Sequence, residues 1–222
     1  PHGPITRRPG TYFVSEIKNS AAKTRLIPFT FSTTQTYILE FGNNYIRFFK
    51  DSGQIIESDV AISGITKANP GVVTANGHGF ANGDFVNFFG VVGMKEINNK
   101  TFKVANKATN TFQLQDVDGN NVNTTNFTTY SSNGVVNRVY QITTEYTSAQ
   151  IFDLKFAQSA DTMYICHPSH EVSKLSRTGH TSWSLDEVDF GDTGPYLDTN
   201  ISTTTITPQQ TAAATGKTLT LS

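Results

Sequence analysis

Short runs of aromatic and β-branched residues, each closed by a turn rich in Gly, Asn or Asp, recur along this chain of 222 residues. The runs at 37–41 and 45–49 are separated only by Gly42, Asn43 and Asn44. Residues of these types favour extended strands, and a short Gly/Asn loop between two such runs is a strong hairpin signal. Helix signals are scarce. The pattern therefore predicts an all-β fold built from antiparallel sheets.

Composition supports the same fold class and narrows the function. Charged residues make up 16% of the chain, against roughly 25% in an average soluble protein. With 17 basic and 18 acidic residues, the net charge is −1, so the whole chain shows no basic excess for nucleic acid. Cys166 is the only cysteine, which rules out an internal disulfide and a multi-thiolate zinc site. No apolar run reaches the ~18 residues of a membrane span, so we expect no membrane partner. We expect the chain to fold in a reducing cytosol.

The middle of the chain, residues 61–140, has a texture of its own. It is rich in Asn, Gly and Val and poor in charge. Short strands at this spacing, each bounded by turn residues, are typical of a small β-barrel or sandwich. The predicted strands are 71–75, 84–89, 101–105, 111–114 and 134–140.

The two flanks of this stretch resemble each other. Residues 29–39 are echoed by residues 154–166, and each copy continues through a loop into a second strand and a Gly turn. Repeated antiparallel units suggest propeller blades, although any two hairpins share part of this pattern. The predicted organisation is a discontinuous propeller-like host domain (1–60 and 141–192), an inserted small β-barrel (61–140) and a Thr-rich strand or linker (193–222).

Several separated motifs in the flanks resemble the N-terminal part of podophage tail nozzle, or tail tubular B, proteins. The resemblance implies a structural virion protein, a homo-oligomeric ring below the portal or adaptor that forms the channel for genome ejection. It also implies tail fibre or spike proteins as partners, transient passage of DNA, and assembly in the bacterial cytoplasm. The motifs are 8–11, 25–29, 37–42, 46–49, 154–161 and 174–177.

The middle stretch carries a second resemblance. Its motifs are similar to small β-barrels that recur in phage tail proteins and are named after the first catalytic cysteine half-domain (FCCH) of ubiquitin-activating enzymes. The stretch has no cysteine, so the resemblance implies a contact module and no ubiquitin chemistry. The motifs are 72–75, 78–80, 83–86, 99–104 and 111–114.

Three motifs invite a chemical interpretation and have a simpler structural one. His167 and His170 have a spacing that binds metal on a helix, but Pro168 favours a polar loop. His78 stands between two glycines, which favours a tight turn over a catalytic base. The 116–120 segment alternates oxygen ligands, yet it lacks the downstream Glu of a calcium loop and fits a hairpin turn. No metal or cofactor is therefore predicted.

The candidate binding residues are interface residues: Arg7, Arg8, Arg25 and Trp183. The arginines would meet a neighbouring subunit's carboxylates or DNA, with a solvated surface as the default. Trp183 is either an inter-subunit anchor or, as large aromatics more often are, a core residue. A carbohydrate- or receptor-binding tail module is the alternative function. A glycosidase would need paired carboxylates in a cleft, and only the 186–189 run supplies carboxylates close together, so the chain is predicted not to be an enzyme.

Overall fold

The chain folds into antiparallel β-sheets, in a computed structural model that describes residues 10–11, 13–32 and 35–191 and the backbone of 206–208 and 219–221. One short 3₁₀ helix is the only helix among these residues. None of the described helical structure is long and apolar enough to cross a membrane. The chain divides into two units, Pro1–Val188 and Asp189–Ser222. The predicted all-β, antiparallel fold class is confirmed.

Sheet 1 contains the hairpin that the sequence predicted. Its strands run in the order β1-β2-β3-β12, with β4 paired to β3. The β2–β3 turn places Asn44 at φ 61°, a conformation that Asn tolerates better than most residues. The first four strands of the chain are β1 Arg25–Thr30, β2 Thr36–Gly42, β3 Tyr45–Lys50 and β4 Gly53–Gln54.

Sheet 2 is formed by the middle stretch, and each of the five strands predicted there is present. Its elements are β5 Val60–Ala61, β6 Gly64–Ile65, β7 Val72–Thr74, β8 Phe85–Phe89, the 3₁₀ helix Lys95–Ile97, β9 Thr101–Ala105, β10 Thr111–Gln115 and β11 Val135–Arg138.

The seven strands of sheet 2 follow the order β5-β11-β8-β9-β10-β7-β6. The strands β5 and β6 therefore lie at opposite ends of the sheet, although only Ile62 and Ser63 connect them. Because an extended residue spans at most ~3.6 Å, this link forces the two edges close together and the sheet to curl. The described edges do not pair with each other, so the sheet is not closed and the structure does not show the predicted small β-barrel.

The chain then returns to sheet 1 and builds sheet 3. Strand β12 (Gln141–Thr143) pairs with β3, and four further strands follow as a meander, each paired with the next. The two flanks thus both form antiparallel sheets, but the structure does not show the predicted propeller. The strands of sheet 3 are β13 Lys155–Ser159, β14 Thr162–His167, β15 His170–Gly179 and β16 Ser182–Glu187.

The second unit, Asp189–Ser222, contains one described hairpin. Strands β17 (Ile206–Pro208) and β18 (Leu219–Leu221) pair antiparallel, with Ile206 opposite Leu221.

Two separate hydrophobic cores hold the first unit together. The buried residues of one core come from 62–136, and this core lies within the curl of sheet 2. The other combines residues 27–48 with residues 146–183 and lies between sheets 1 and 3. The alternation of strands explains the second core, because Ile46 and Phe48 face it while Tyr45 and Arg47 point to the opposite side of β3.

Candidate functional site

The chain leaves sheet 1 for sheet 2 and returns along two segments that lie side by side. Ile56 forms a bridge with Val139. The Tyr140 N–H donates to the Ile55 carbonyl at 2.9 Å, and the Glu57 N–H donates to the Arg138 carbonyl at 2.8 Å. The two ends of the middle stretch are therefore hydrogen-bonded to each other.

Side chains reinforce this crossing point. Arg138 Nη2 lies 2.6 Å from Glu57 Oε2, and its Nη1 lies 3.3 Å from Asp84 Oδ2. The hydrogen bond to Glu57 raises the pKa of Arg138 above its usual range. Asn137 is fully buried, and its amide donates to the Glu57 carbonyl at 3.1 Å and to Asp59 Oδ1 at 2.5 Å.

A cluster of charged and aromatic side chains fills the space where sheet 1 meets sheet 2. We call it the junction cluster; it comprises Lys18, Glu40, Tyr45, Arg47 and Phe85. Arg47 and Glu40 lie directly opposite each other on β3 and β2, and each is only 1% exposed. The Arg47 guanidinium lies 4.3 Å from the Phe85 ring centre, and the Lys18 ammonium lies 4.7 Å from that of Tyr45. The cluster thus links the N-terminal segment, sheet 1 and sheet 2.

The hydrogen bonds within the junction cluster do not satisfy all of its buried polar atoms. The Tyr45 hydroxyl donates a short hydrogen bond to Glu40 Oε1, which also accepts the Lys18 N–H at 3.4 Å. Arg47 Nε reaches the Gln141 amide oxygen at 3.4 Å. Arg47 Nη2 and Glu40 Oε2 are buried and have no hydrogen-bond partner among the described residues. Such atoms are uncommon in folded proteins and call for an explanation.

Burial is the largest influence on the protonation equilibria of the junction cluster. Burial lowers the pKa of the Lys18 ammonium, and the nearby Arg47 guanidinium lowers it further. Burial also lowers the pKa of Arg47, against the opposing effect of Glu40. Burial and the hydrogen bond to Glu40 raise the pKa of Tyr45. The Tyr45 hydroxyl therefore stays protonated and keeps donating to Glu40 near neutral pH.

A cleft of about 410 Å³ opens beside the junction cluster, and we call it the junction cleft. Its walls carry two ammonium groups, Lys18 and Lys103, and one exposed carboxylate, Asp118. Its lining residues are Lys18, Asn19, Asn43, Tyr45, Gly83, Phe85, Lys103, Val117 and Asp118.

The predicted interface residues are not brought together by the structure. Arg7 and Arg8 lie outside the described residues. Arg25 directs one nitrogen, Nη1, at three main-chain carbonyl groups at 3.0 to 3.1 Å: those of Ile151, Phe152 and Leu154. It thereby ties β1 to the segment before sheet 3. An interface role for Arg25 stays a prediction.

Trp183 occupies the core position that was the favoured alternative. It is 8% exposed and stacks on Phe48 with ring centres 4.4 Å apart. Phe29 and Tyr37 meet its edges at 4.8 and 5.3 Å. This geometry accounts for the residue by packing alone.

The histidine and Asp/Gly motifs take the structural roles that were favoured. His78 is buried, and its Nδ1 accepts the Phe80 N–H at 3.0 Å in a turn. His170 Nδ1 lies 3.3 Å from Glu145 Oε2. Among the described residues no cluster of three potential metal ligands forms. Asp116 Oδ1 accepts the N–H groups of Asp118 and Asn120 at 3.1 and 2.8 Å, so this segment is a hairpin turn.

The junction cluster was not predicted from the sequence, although a signal for it was present. Glu40 and Arg47 are the only charged residues within the apolar runs 37–41 and 45–49. A hairpin around Asn43 and Asn44 places them opposite each other, so a buried ion pair was readable from the turn register.

Comparison with known proteins shows which class of domain the middle stretch is similar to. The family model of the ubiquitin-activating enzyme E1 FCCH domain matches residues 68–140. The match spans β7 to β11 and bears out the similarity of this stretch to FCCH domains, but not its predicted place in a phage tail protein.

Two curated proteins share this similarity, the ubiquitin-like modifier-activating enzyme 1 of Oryctolagus cuniculus and that of Homo sapiens. Each is 36% identical to the chain over 104 residues. The aligned part is 45% of this chain and 9% of each relative, so the similarity reaches only a small part of either enzyme.

These findings correct the prediction of a podophage tail nozzle. The matching family and the relatives belong to ubiquitin-activating enzymes, so the predicted virion function and the alternative of a carbohydrate- or receptor-binding tail module are wrong. Several further expectations depended on that resemblance and are wrong with it. They are the homo-oligomeric ring, the portal, adaptor, fibre and spike partners, the passage of DNA and the virion location. The motifs quoted for the nozzle are strand and turn signals, which many antiparallel sheets share.

Proposed function

We propose that this chain is a non-catalytic binding protein in which an FCCH-type module is inserted into a β-sheet host. The observation that carries the proposal is the agreement of three boundaries. The family match covers 68–140, the buried residues of one hydrophobic core come from 62–136, and the bridge partners Ile56 and Val139 enclose that core and lie near the ends of the match.

The insertion follows from the geometry of the crossing point. A surface loop accepts an inserted domain when the ends of that domain lie close together, and Ile56 and Val139 are bridge partners. We assign the module to 61–140, with a small barrel-like curl, and the host to 1–60 and 141–192, with sheets arranged like propeller blades. The short link between β5 and β6 supports the curl.

The positions and contacts of the reactive side chains favour a binding role over catalysis. The matched segment contains no cysteine, and Cys166 lies in sheet 3, outside it. His78 is buried in a turn, and His180 Nδ1 is hydrogen-bonded to the Tyr37 hydroxyl at 2.7 Å. The proposal does not extend to modifier activation, since the similarity covers 9% of each relative.

Separating the two parts tests the module. Residues 57–140 are produced alone, and in a second variant residues 58–137 are replaced by Asn-Gly. This dipeptide suits a two-residue hairpin between Glu57 and Arg138, whose main chains are hydrogen-bonded. We expect both products to show β-sheet circular dichroism and cooperative thermal unfolding. Trp183, the only tryptophan, reports on the host alone.

A full chain with Asn-Gly inserted after Glu57 is the control for disturbance of the crossing point. The modular proposal fails if either separated part is unfolded while this control unfolds like the native chain.

A further inference from the structure

We propose that the junction cleft binds an oxyanion, either a carboxylate of an acidic peptide or a free phosphate. This inference rests on the proposed binding function and names the chemistry of its ligand. The cleft volume of about 410 Å³ is at the lower end of the ~300–1,000 Å³ typical of ligand sites, which suits a small charged group or one or two side chains.

The cleft brings two cations together from separate parts of the fold. Lys18 comes from the N-terminal segment and Lys103 from β9 of sheet 2. Neither ammonium lies within ion-pair distance of a carboxylate among the described residues. An oxyanion between them would gain two charge-assisted hydrogen bonds, which are stronger than neutral ones.

The junction cluster behind the cleft adds to the positive field. Arg47 is 1% exposed and keeps Nη2 without a hydrogen-bond partner among the described residues. Its guanidinium lies against Phe85 and Tyr45, at 4.3 and 5.6 Å from their ring centres, and both rings line the cleft. A buried charge acts over a longer range than a solvated one because water screens it less.

The nearby carboxylates offset only part of this field. Glu40 is the buried partner of Arg47, but the Arg47 guanidinium lowers the pKa of the Lys18 ammonium more than the Glu40 carboxylate raises it. Asp84 is engaged with Arg138 at 3.3 Å. Asp118 is the only carboxylate that lines the cleft, and it lies in the exposed 116–120 turn. The remaining lining groups include Asn19 and Asn43, which supply neutral amides.

Isothermal titration of the full chain tests the proposal with defined probes. The probes are inorganic phosphate, a short capped peptide of Asp and Glu, and its Asn/Gln analogue. We expect the acidic peptide or phosphate to bind, the neutral analogue not to bind, and added NaCl to weaken binding. Lys18→Gln and Lys103→Gln should each weaken it about tenfold, the effect of one charged hydrogen bond.

Lys107→Gln is the matched control, since Lys107 is an exposed lysine of the same module, outside the cleft. If the acidic peptide binds and phosphate displaces it, the natural ligand is a carboxylate of a partner. If phosphate binds and the peptide does not, the ligand is a free oxyanion. No binding of either, or an equal loss in Lys107→Gln, would overturn the proposal. A full chain that binds no oxyanion, although the separated module and host both fold, defeats this inference and leaves the proposed modular organisation standing.

Discussion

At the scale of single residues, the main feature is a buried ion pair with unfinished hydrogen bonding. Glu40 and Arg47 are each 1% exposed, and each leaves one polar atom without a partner among the described residues. Burying a charge costs free energy that its opposite charge only partly returns, so such pairs matter most when one member is removed.

Removing the positive member should be strongly destabilising. Arg47→Met leaves the Glu40 carboxylate buried opposite an apolar side chain. We expect a loss of about 3 kcal/mol in the free energy of unfolding, at the low end for a broken buried pair, because Lys18 remains near Glu40. Urea unfolding followed by circular dichroism measures it.

Removing the charge of Glu40 as well should recover most of the lost free energy of unfolding. The double variant Arg47→Met with Glu40→Leu has no buried charge left at these two positions, so its stability should approach that of the native chain. Lys155→Met changes an exposed lysine on β13 and should shift stability by no more than about 0.5 kcal/mol. A double variant as unstable as Arg47→Met would contradict this account.

Asp116 should make part of the free energy of unfolding depend on pH. Burial is the largest single influence and opposes ionisation, but the hydrogen bonds from Asn120 and from main-chain N–H groups together lower the pKa of this carboxyl below its usual value. A carboxyl with a lowered folded-state pKa stabilises the fold above its unfolded pKa of about 3.9. That contribution is lost as the pH falls through the folded-state value.

Asp116→Asn therefore should be less stable than the native chain at neutral pH, and the difference should vanish in acid. Urea unfolding across this pH range measures it. Asp118→Asn serves as control, since no described residue donates a hydrogen bond to that carboxylate. A difference that grows as the pH falls would show that Asp116 is not stabilised as its hydrogen bonds suggest.

Residue roles were predictable where their partners are close in sequence. The His78 and 116–120 turns follow from local Gly, Asp and Asn chemistry. The role of Arg25 was not readable, because its carbonyl acceptors lie 126 to 129 positions away. The same holds for the junction cluster as a whole, since Lys18 and Phe85 reach it only through the tertiary fold.

At the scale of elements, the connection from β8 to the 3₁₀ helix is the most constrained segment. Gly93 has φ +90°, and a Cβ there would collide with the carbonyl oxygen of Thr129. Gly90 has φ +68° with open space around it. The two glycines therefore share the same unfavourable backbone region but differ in packing.

Alanine at these two glycines should separate backbone strain from collision. Gly90→Ala should cost about 1 kcal/mol, the price of a left-handed conformation. Gly93→Ala should cost a further 1–3 kcal/mol, roughly the penalty for overpacking. Thermal unfolding of both variants provides the comparison, and equal losses would mean that the Thr129 contact yields without cost.

The free edge of β1 is covered by a side chain. Gln158 accepts the Thr30 N–H at 3.1 Å and donates to the Thr30 carbonyl at 2.9 Å. Exposed strand edges invite pairing with other chains, so this bidentate contact blocks part of that edge.

Strand positions were readable from the sequence, and sheet topology was not. Each middle strand was predicted because turn residues bound it locally. The order of sheet 2 depends instead on the two-residue link between β5 and β6, which carries no turn signature that reveals opposite ends of one sheet.

At the scale of the whole molecule, two cores share one chain without sharing side chains. Phe112 belongs to the core of sheet 2, and Ile165 belongs to the core between sheets 1 and 3. Separate cores predict independent energetic effects, because sites without common partners usually add.

A double-mutant cycle tests this independence. Phe112→Leu and Ile165→Val should each cost about 1 kcal/mol, and their effects on the free energy of unfolding should add within about 0.5 kcal/mol. The control cycle pairs Phe112→Leu with Phe88→Leu, whose rings share one core at 6.5 Å, and should deviate from additivity. Strong coupling across the two cores, measured by urea unfolding, would argue against a separable module.

The bridge between Ile56 and Val139 also determines how the chain responds to mechanical load. Tension along the host passes from the segment before Glu57 to the segment after Arg138, and the hydrogen bonds at Ile55 and Tyr140 join these segments directly. Sheet 2 therefore lies off the force path. When the host is stretched, sheet 2 carries no load until the bridge ruptures. Only then is force transmitted to its strands.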